Sequence, residues 1–155
     1  MSLKFPNRHP ISRARFFLQR AEECAVDERD AFEAYLDAAI VFGGSAIQWT
    51  QRKHEDKSNP EWKKWWGSLL KDQSIKFFKD YRDDVVHERP LRVHQIIKAG
   101  FIPAPGDPDP VNSDPVRQAT ELYYFESPGI PATETVRRHL EKTTEHVVYA
   151  EKHFG

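Results

Sequence analysis

The sequence has little cysteine and no long apolar run, and both shortages narrow the kind of protein that it encodes. A single cysteine among 155 residues, Cys24, excludes an internal disulfide. The longest nearly apolar stretch, AAIVFGGSAI at 38–47, is about half of the ~20 residues that a membrane-spanning helix requires. The first residues, MSLKFPNRHP, lack the apolar segment of a secretory signal. We therefore expect a cytoplasmic protein that does not enter a membrane.

Excess charge of one sign is also scarce, because the formal net charge at pH 7 is only −1. A dedicated nucleic-acid binder usually has a clearly basic domain, so this balance argues against tight, non-specific binding of polyanions. The total nevertheless hides a segregation of charge. Residues 1–21 carry five basic and no acidic side chains, whereas residues 22–37 carry seven acidic side chains against Arg29 alone. The excess of positive charge in residues 1–21 permits a local basic groove.

Apolar residues recur at helical spacing in five segments, and 155 residues suit a single domain. The predicted helices begin with Ser12 as N-cap, between Asp27 and Asp30, with Asn59 as N-cap, at Ser74 and near Thr133. The fourth extends to His87, because Pro90 disfavours helical geometry in the residue before it. The predicted fold class of residues 1–155 is all-α, an up-and-down bundle of about five helices. A proline-rich excursion over about 90–131 precedes the last helix, and two segments within it, 91–102 and 119–127, flank its most proline-rich part and suit short strands or extended arms.

Two features of the predicted helices allow more than one interpretation. Gly43 and Gly44 each cost roughly 1 kcal/mol inside a helix, so we expect them to admit a neighbouring helix, with a kink as the alternative. Three tryptophans interleaved with Lys63 and Lys64 suit either a core or a base-stacking platform, and the core is favoured.

Histidines recur every seven residues along the last predicted helix, at His139, His146 and His153. Successive members would lie ~10 Å apart, too far to share one metal ion. A half-exposed edge or the rim of a dimer accounts for them better. No metal or cofactor site is expected from the sequence.

An arginine interrupts the apolar side of the fourth predicted helix. At ~100° per residue, Arg82 falls within an arc of apolar side chains, while the charged side chains around it fall outside. Burying a bare charge costs several kcal/mol, so Arg82 must meet an anion or pair with a carboxylate. The candidate partners are Glu22, Glu23 and Asp37, and the sequence leaves both interpretations open. The apolar arc consists of Ile75, Phe78, Val85 and Val86, extended by Phe77 and Tyr81.

His87 stands at the end of this helix, ~140° around from Arg82. The chain leaves helical geometry before Pro90, which allows His87 to turn back toward Arg82. Asp83 precedes His87 by four residues, so its carboxylate can hydrogen-bond the imidazole. That contact suits proton transfer near neutral pH.

The segment RDDVVH, an arginine and a histidine separated by four residues, resembles the motif of the HEPN superfamily. The wider chain is similar to a group of bacterial HEPN-like proteins through ARFFLQRAEE at 14–23, FEAYLDAAIVF at 32–42, YRDDVVHE at 81–88 and AEKHFG at 150–155. This resemblance covers all the predicted helices but not the proline-rich excursion. The motif residues are Arg82, Asp83 and His87.

The resemblance implies a metal-independent endoribonuclease that acts as a homodimer, with the motif helices of two chains lining a shared cleft. His87 would exchange protons with the ribose 2′-OH and the leaving oxygen, Arg82 would stabilise the phosphate, and Asp83 would orient His87. The same resemblance allows a non-catalytic dimeric module that binds a partner protein. Independently of it, the apolar arc is wider than one short helix needs, so we expect part of it to face a second chain.

Overall fold

The computed structural model describes residues 4–24, 27–86, 94–102, 116–124 and 130–155. Its helices are α1 (Pro10–Glu22), α2 (Arg29–His54), α3 (Pro60–Leu69), α4 (Gln73–Val86) and α5 (Ala132–Phe154). Two strands, β1 (His94–Ile102) and β2 (Val116–Tyr124), lie between α4 and α5 in the chain. The predicted fold class, a helical bundle of about five helices, is confirmed.

The N-termini of the first and third helices show how the sequence sets their boundaries. We predicted Ser12 as the N-cap of α1, which is wrong: Pro10 occupies the first turn, and the His9 Nδ1 atom accepts a hydrogen bond from the Ile11 amide (3.1 Å). Proline suits that position because it lacks the amide that would go unpaired there. In α3 the predicted cap is present, since Asn59 Oδ1 accepts from the Glu61 amide at 2.9 Å.

Helix α2 runs through the middle of the bundle and contacts α1, α4 and α5. Each of these helices contributes large apolar side chains that are almost fully buried, and each such side chain stabilises the fold by about 1.5–3 kcal/mol. The largest are Ile11 from α1, Leu36 and Ile40 from α2, Phe78 from α4, and Val136 and Val147 from α5. The helical spacing predicted in the sequence therefore corresponds to one shared core.

The tryptophan-rich helix α3 contributes only partly to that core. Trp62 is buried, with 2% of its surface exposed, as the core interpretation predicts. Trp65 and Trp66 are half-buried, and Trp65 stacks on Tyr149 of α5 with 5.7 Å between ring centroids. The aromatic residues thus attach α3 to the end of α5.

Strands β1 and β2 form an antiparallel pair in which His94 lies opposite Tyr124 and Ile102 lies opposite Val116. β1 lies within the first segment for which a short strand was one of the predicted forms, and β2 overlaps the second but begins three residues before it. The part of the proline-rich excursion between them lies outside the described residues. Within the described part of the chain, no helix is long and apolar enough to cross a membrane.

Candidate functional site

Arg82 lies where α4 crosses the paired glycines of α2. A Cβ atom added to Gly43 would stand 2.5 Å from the Phe78 ring, and one added to Gly44 would stand 2.9 Å from Arg82 Cδ. Both glycines are buried. Their role is therefore close approach of a neighbouring helix, one of the two uses that the sequence suggested, and they bring the stem of Arg82 against the α2 backbone.

The Arg82 side chain is half-buried, and its Nε atom is buried without a hydrogen-bond partner. The proposed structural ion pairs are not formed. Glu22 forms an ion pair with Arg137, and Glu23 Oε2 lies 3.6 Å from Arg20 Nη1. Among the described residues, no carboxylate lies within ion-pair distance of Arg82. The interpretation of Arg82 as one half of an internal salt bridge with these acids is therefore wrong.

Asp37, the third proposed partner of Arg82, is a second side chain with a buried polar atom that makes no hydrogen bond. It lies seven residues before Gly44, about two helical turns, and therefore on nearly the same side of α2. Its Oδ1 atom is buried without a hydrogen-bond partner. Burial, assisted by the nearby charge of Glu33, raises the pKa of Asp37 to about 6. Helical spacing thus places a carboxyl group with a raised pKa on nearly the same side of α2 as Gly44.

Of the other two motif residues, Asp83 and His87, the structure describes only Asp83. Asp83 lies on α4 with an exposed side chain. His87 follows Val86, the last residue of α4, and lies outside the described residues. The predicted convergence of Arg82 and His87 stays a prediction.

A polar group at the start of α4 was missed by the sequence interpretation. Asp72 accepts a hydrogen bond from the Ser74 amide at 2.8 Å and lies 3.3 Å from His146 Nε2. Burial opposes ionisation of Asp72, but the Ser74 amide and His146 outweigh it and lower the pKa of this carboxyl. Asp72 immediately before a predicted helix is a typical N-cap signal. The contact with α5 has no local signal, since the two segments are distant in sequence.

Ser74 and His139 lie beside this cap, with 2.8 Å between Ser74 Oγ and His139 Nδ1. Such a contact can activate a serine nucleophile when substrate reaches it. Here Ser74 is only 7% exposed, and His139 is stacked on Phe77 with 4.2 Å between ring centroids. Burial lowers the pKa of His139. The pair therefore joins α4 to α5 within the fold and offers no access to a substrate.

The three histidines that recur every seven residues in α5 thus contact different neighbours. His139 and His146 contact the start of α4, whereas His153 is exposed and stacks on Tyr149. In the regions that the structure describes, no group of three or more His, Cys, Asp or Glu side chains is placed to hold a metal ion.

The comparisons with known proteins do not assign a family to this chain. Searches of protein-family models, curated proteins and solved structures each found no match.

Proposed function

We propose that the protein is a metal-independent endoribonuclease that acts as a homodimer. Its substrate is RNA, and Arg82, Asp83 and His87 carry the reaction. The observation that supports this proposal is the half-buried Arg82, for which the described residues provide no carboxylate. An uncompensated guanidinium suits a phosphate group, which accepts two parallel hydrogen bonds from it.

The proposed reaction needs only proton transfer and charge stabilisation. The ribose 2′-oxygen forms a bond to the adjacent phosphorus while the bond from phosphorus to the 5′-oxygen breaks. His87 either takes the 2′-OH proton while water protonates the leaving 5′-oxygen, or protonates the 5′-oxygen while water takes the 2′-OH proton, and Asp83 orients its imidazole. Arg82 stabilises the negative charge that grows on the phosphate oxygens. The product ends are a 2′,3′-cyclic phosphate and a free 5′-OH.

The proposed dimer is built on α4, but not on all of its apolar arc. Ile75 and Phe78 are 3% and 0% exposed, because they pack within the core of their own chain. They are therefore excluded from an interface. Phe77 and Tyr81 are half-buried, so the proposed interface uses this side of α4. Two Arg82 side chains near a two-fold axis would repel each other, and a bound RNA phosphate would relieve that repulsion.

A non-catalytic dimeric module that binds a partner protein is the second candidate. The buried Arg82 Nε and the contact of Arg82 Cδ with Gly44 favour it, because they give the side chain a use in helix packing. In this case Arg82 and His87 are not required for any chemical reaction.

Incubation of the purified protein with mixed RNA in EDTA distinguishes the two candidates. We expect cleavage by the wild type, and its loss in both Arg82→Ala and His87→Ala. Arg52→Ala and His153→Ala are matched controls at exposed positions and should cleave like the wild type. Circular dichroism verifies that each variant is folded. A wild type that leaves RNA intact contradicts the endoribonuclease and supports the module.

A further inference from the structure

The α1 helix carries a second feature that the proposed cleavage reaction does not use. An open groove of about 500 Å³ lies between α1 and α2, within the ~300–1,000 Å³ range of ligand sites. Three aromatic rings and three polar or basic side chains line it. The lining residues are Asn7, Ser12, Arg13, Phe16, Phe17 and Phe42.

The aromatic part of the groove includes an unusually accessible ring. Phe17 and Phe42 stack on each other with 5.6 Å between centroids and 5° between planes. Phe16 stands edge-on to Phe17 and is 54% exposed, the highest exposure among the large apolar side chains of the described residues. An exposed phenyl ring beside a rigid aromatic pair offers a surface on which a planar ligand can stack.

Two arginines of α1 lie over these rings: Arg13, which lines the groove, and Arg20, which is not part of the lining. The guanidinium carbon of Arg13 lies 5.5 Å from the Phe42 centroid, and that of Arg20 lies 5.5 Å from the Phe16 centroid. Within the described residues, no carboxylate pairs with Arg13. Arg20 lies 3.6 Å from Glu23, but both side chains are more than half exposed, so this pair is weak and can be replaced by a phosphate.

Charge selects the class of ligand. Residues 4–20 contain five basic and no acidic side chains, and the N-terminal end of α1 adds the positive end of its helix dipole. A positive groove that also presents aromatic rings suits alternating phosphates and bases better than it suits a purely acidic or a purely apolar partner.

We propose that this groove binds single-stranded nucleic acid. A base stacks on Phe16, while Arg13 and Arg20 pair with the flanking phosphates. Asn7 also lines the groove, and its exposed amide carries both donors and an acceptor, so it can hydrogen-bond a base edge. The binding needs neither His87 nor a 2′-OH, so it goes beyond the proposed cleavage and stands or falls separately.

Fluorescence anisotropy with a labelled oligo-dT of about 12 nucleotides tests the groove, since DNA lacks the 2′-OH that the cleavage requires. Arg13→Gln should weaken binding several-fold and reduce the slope of log affinity against log salt by about 0.7. Arg15→Gln removes the same charge from the same helix, but Arg15 lies outside the groove lining and lines a different pocket, together with Glu22. We expect Arg15→Gln to have a clearly smaller effect. Equal losses of affinity in the two variants would mean that the oligonucleotide is held by general charge attraction and not by the groove. That result would overturn the proposal.

Substitutions at Phe16 separate stacking from simple apolar contact. Phe16→Ala should weaken oligonucleotide binding about 5- to 100-fold. Phe16→Leu should show a similar loss, whereas Phe16→Tyr should retain binding. Wild-type affinity in Phe16→Leu contradicts stacking. Because Phe16 is exposed, these variants should melt at the wild-type temperature, which circular dichroism verifies.

Competitors and motif variants separate this proposal from its alternatives. Duplex DNA or a poly-glutamate peptide should displace the oligonucleotide poorly, and equal displacement by either one contradicts a site for unpaired bases. Arg52→Ala, which removes a positive charge at an exposed position of α2, should bind oligo-dT like the wild type. Loss of binding in Arg82→Ala and His87→Ala, with none in Arg13→Gln, would assign the nucleic acid to the motif helix instead. Wild-type oligo-dT binding in both Arg13→Gln and Phe16→Ala, in a protein that cleaves RNA, would leave the proposed function intact and reject the groove.

Discussion

Arg82 Cδ lies so close to Gly44 of the neighbouring helix that a Cβ atom at position 44 would stand 2.9 Å from it. The backbone of α2 therefore sets the position of the Arg82 stem on α4. The adjacent Gly43 has a different neighbour, the Phe78 ring. This difference allows the core and the candidate site to be perturbed separately by the same substitution at consecutive positions.

Gly43→Ala should destabilise the protein, whereas Gly44→Ala should mainly displace Arg82. The new methyl group at 43 meets Phe78, which is 0% exposed, and such overpacking costs about 1–3 kcal/mol. At 44 the obstacle is a flexible side chain, and alanine gains about 1 kcal/mol of helix propensity. Urea unfolding should therefore show a loss only for Gly43→Ala. RNA cleavage should fall in Gly44→Ala, and full activity there would mean that the position of Arg82 is unimportant.

Arg82→Met should leave the free energy of unfolding unchanged or raise it by up to about 1 kcal/mol. Methionine retains an apolar stem beside Gly44. Removal of the guanidinium leaves no described carboxylate without an ion-pair partner. Breaking a buried ion pair would instead cost about 3–5 kcal/mol. Urea unfolding followed by tryptophan fluorescence measures the difference. Arg52→Met, on the exposed part of α2, controls for the change of side-chain type.

Asp37→Asn should stabilise the protein at pH 7 and above. Burial, with the charge of Glu33, raises the pKa of Asp37 from about 3.8 to about 6. The native state therefore holds the Asp37 proton over a pH range in which the unfolded chain has lost it. The resulting penalty is absent below pH 3.8, grows as the pH rises to about 6, and is complete above that value.

The upper limit of this penalty is about 3 kcal/mol, and the partial exposure of Asp37 lowers the expected gain to about 1–2 kcal/mol. Thermal melts at pH 4, 6 and 8 should show a difference between the variant and the wild type that widens toward pH 8. Asp80→Asn, the same substitution at an exposed position of α4, should show no such widening. A constant difference at all three values would mean that Asp37 does not titrate in this range.

The sequence predicted the fold better than it predicted the site, and particular residues show why. Asn59 followed by Pro60, and the spacing of Val136, Leu140 and Val147, are local signals that act within a few residues. They predict the start of α3 and the buried side of α5 correctly. Helical spacing also places Arg82 on the side of α4 that meets the core.

The partners of Arg82 could not be predicted in the same way. They depend on which helices pack together and on which residues face each other along those helices. Periodicity assigns Glu22, Glu23 and Asp37 to helices but does not relate those helices in space. Glu22 lies beside Arg137 of α5, a contact between segments more than a hundred residues apart. The groove at Phe16 was missed for a related reason, since its α2 wall includes Phe42.

Tyr81→Lys should convert the proposed homodimer to a monomer and abolish RNA cleavage. Tyr81 is half-buried on α4 and packs against the core, and the proposed interface uses its exposed part. A lysine there would place a charge in an apolar contact between chains, where an unpaired charge is costly. Light scattering at micromolar concentration measures the change of mass, and a cooperative thermal melt verifies that the variant is folded.

Asp80→Lys is the control for the Tyr81 variant, because it introduces the same side chain at the preceding, exposed position. It should remain dimeric and active, which would show that a lysine on α4 is not harmful in itself. A wild type that is monomeric at micromolar concentration contradicts the dimer directly. A folded, monomeric Tyr81→Lys that cleaves RNA as fast as the parent would instead show that one chain holds the complete site. In that case Arg82 would act on phosphate without its counterpart from a second chain.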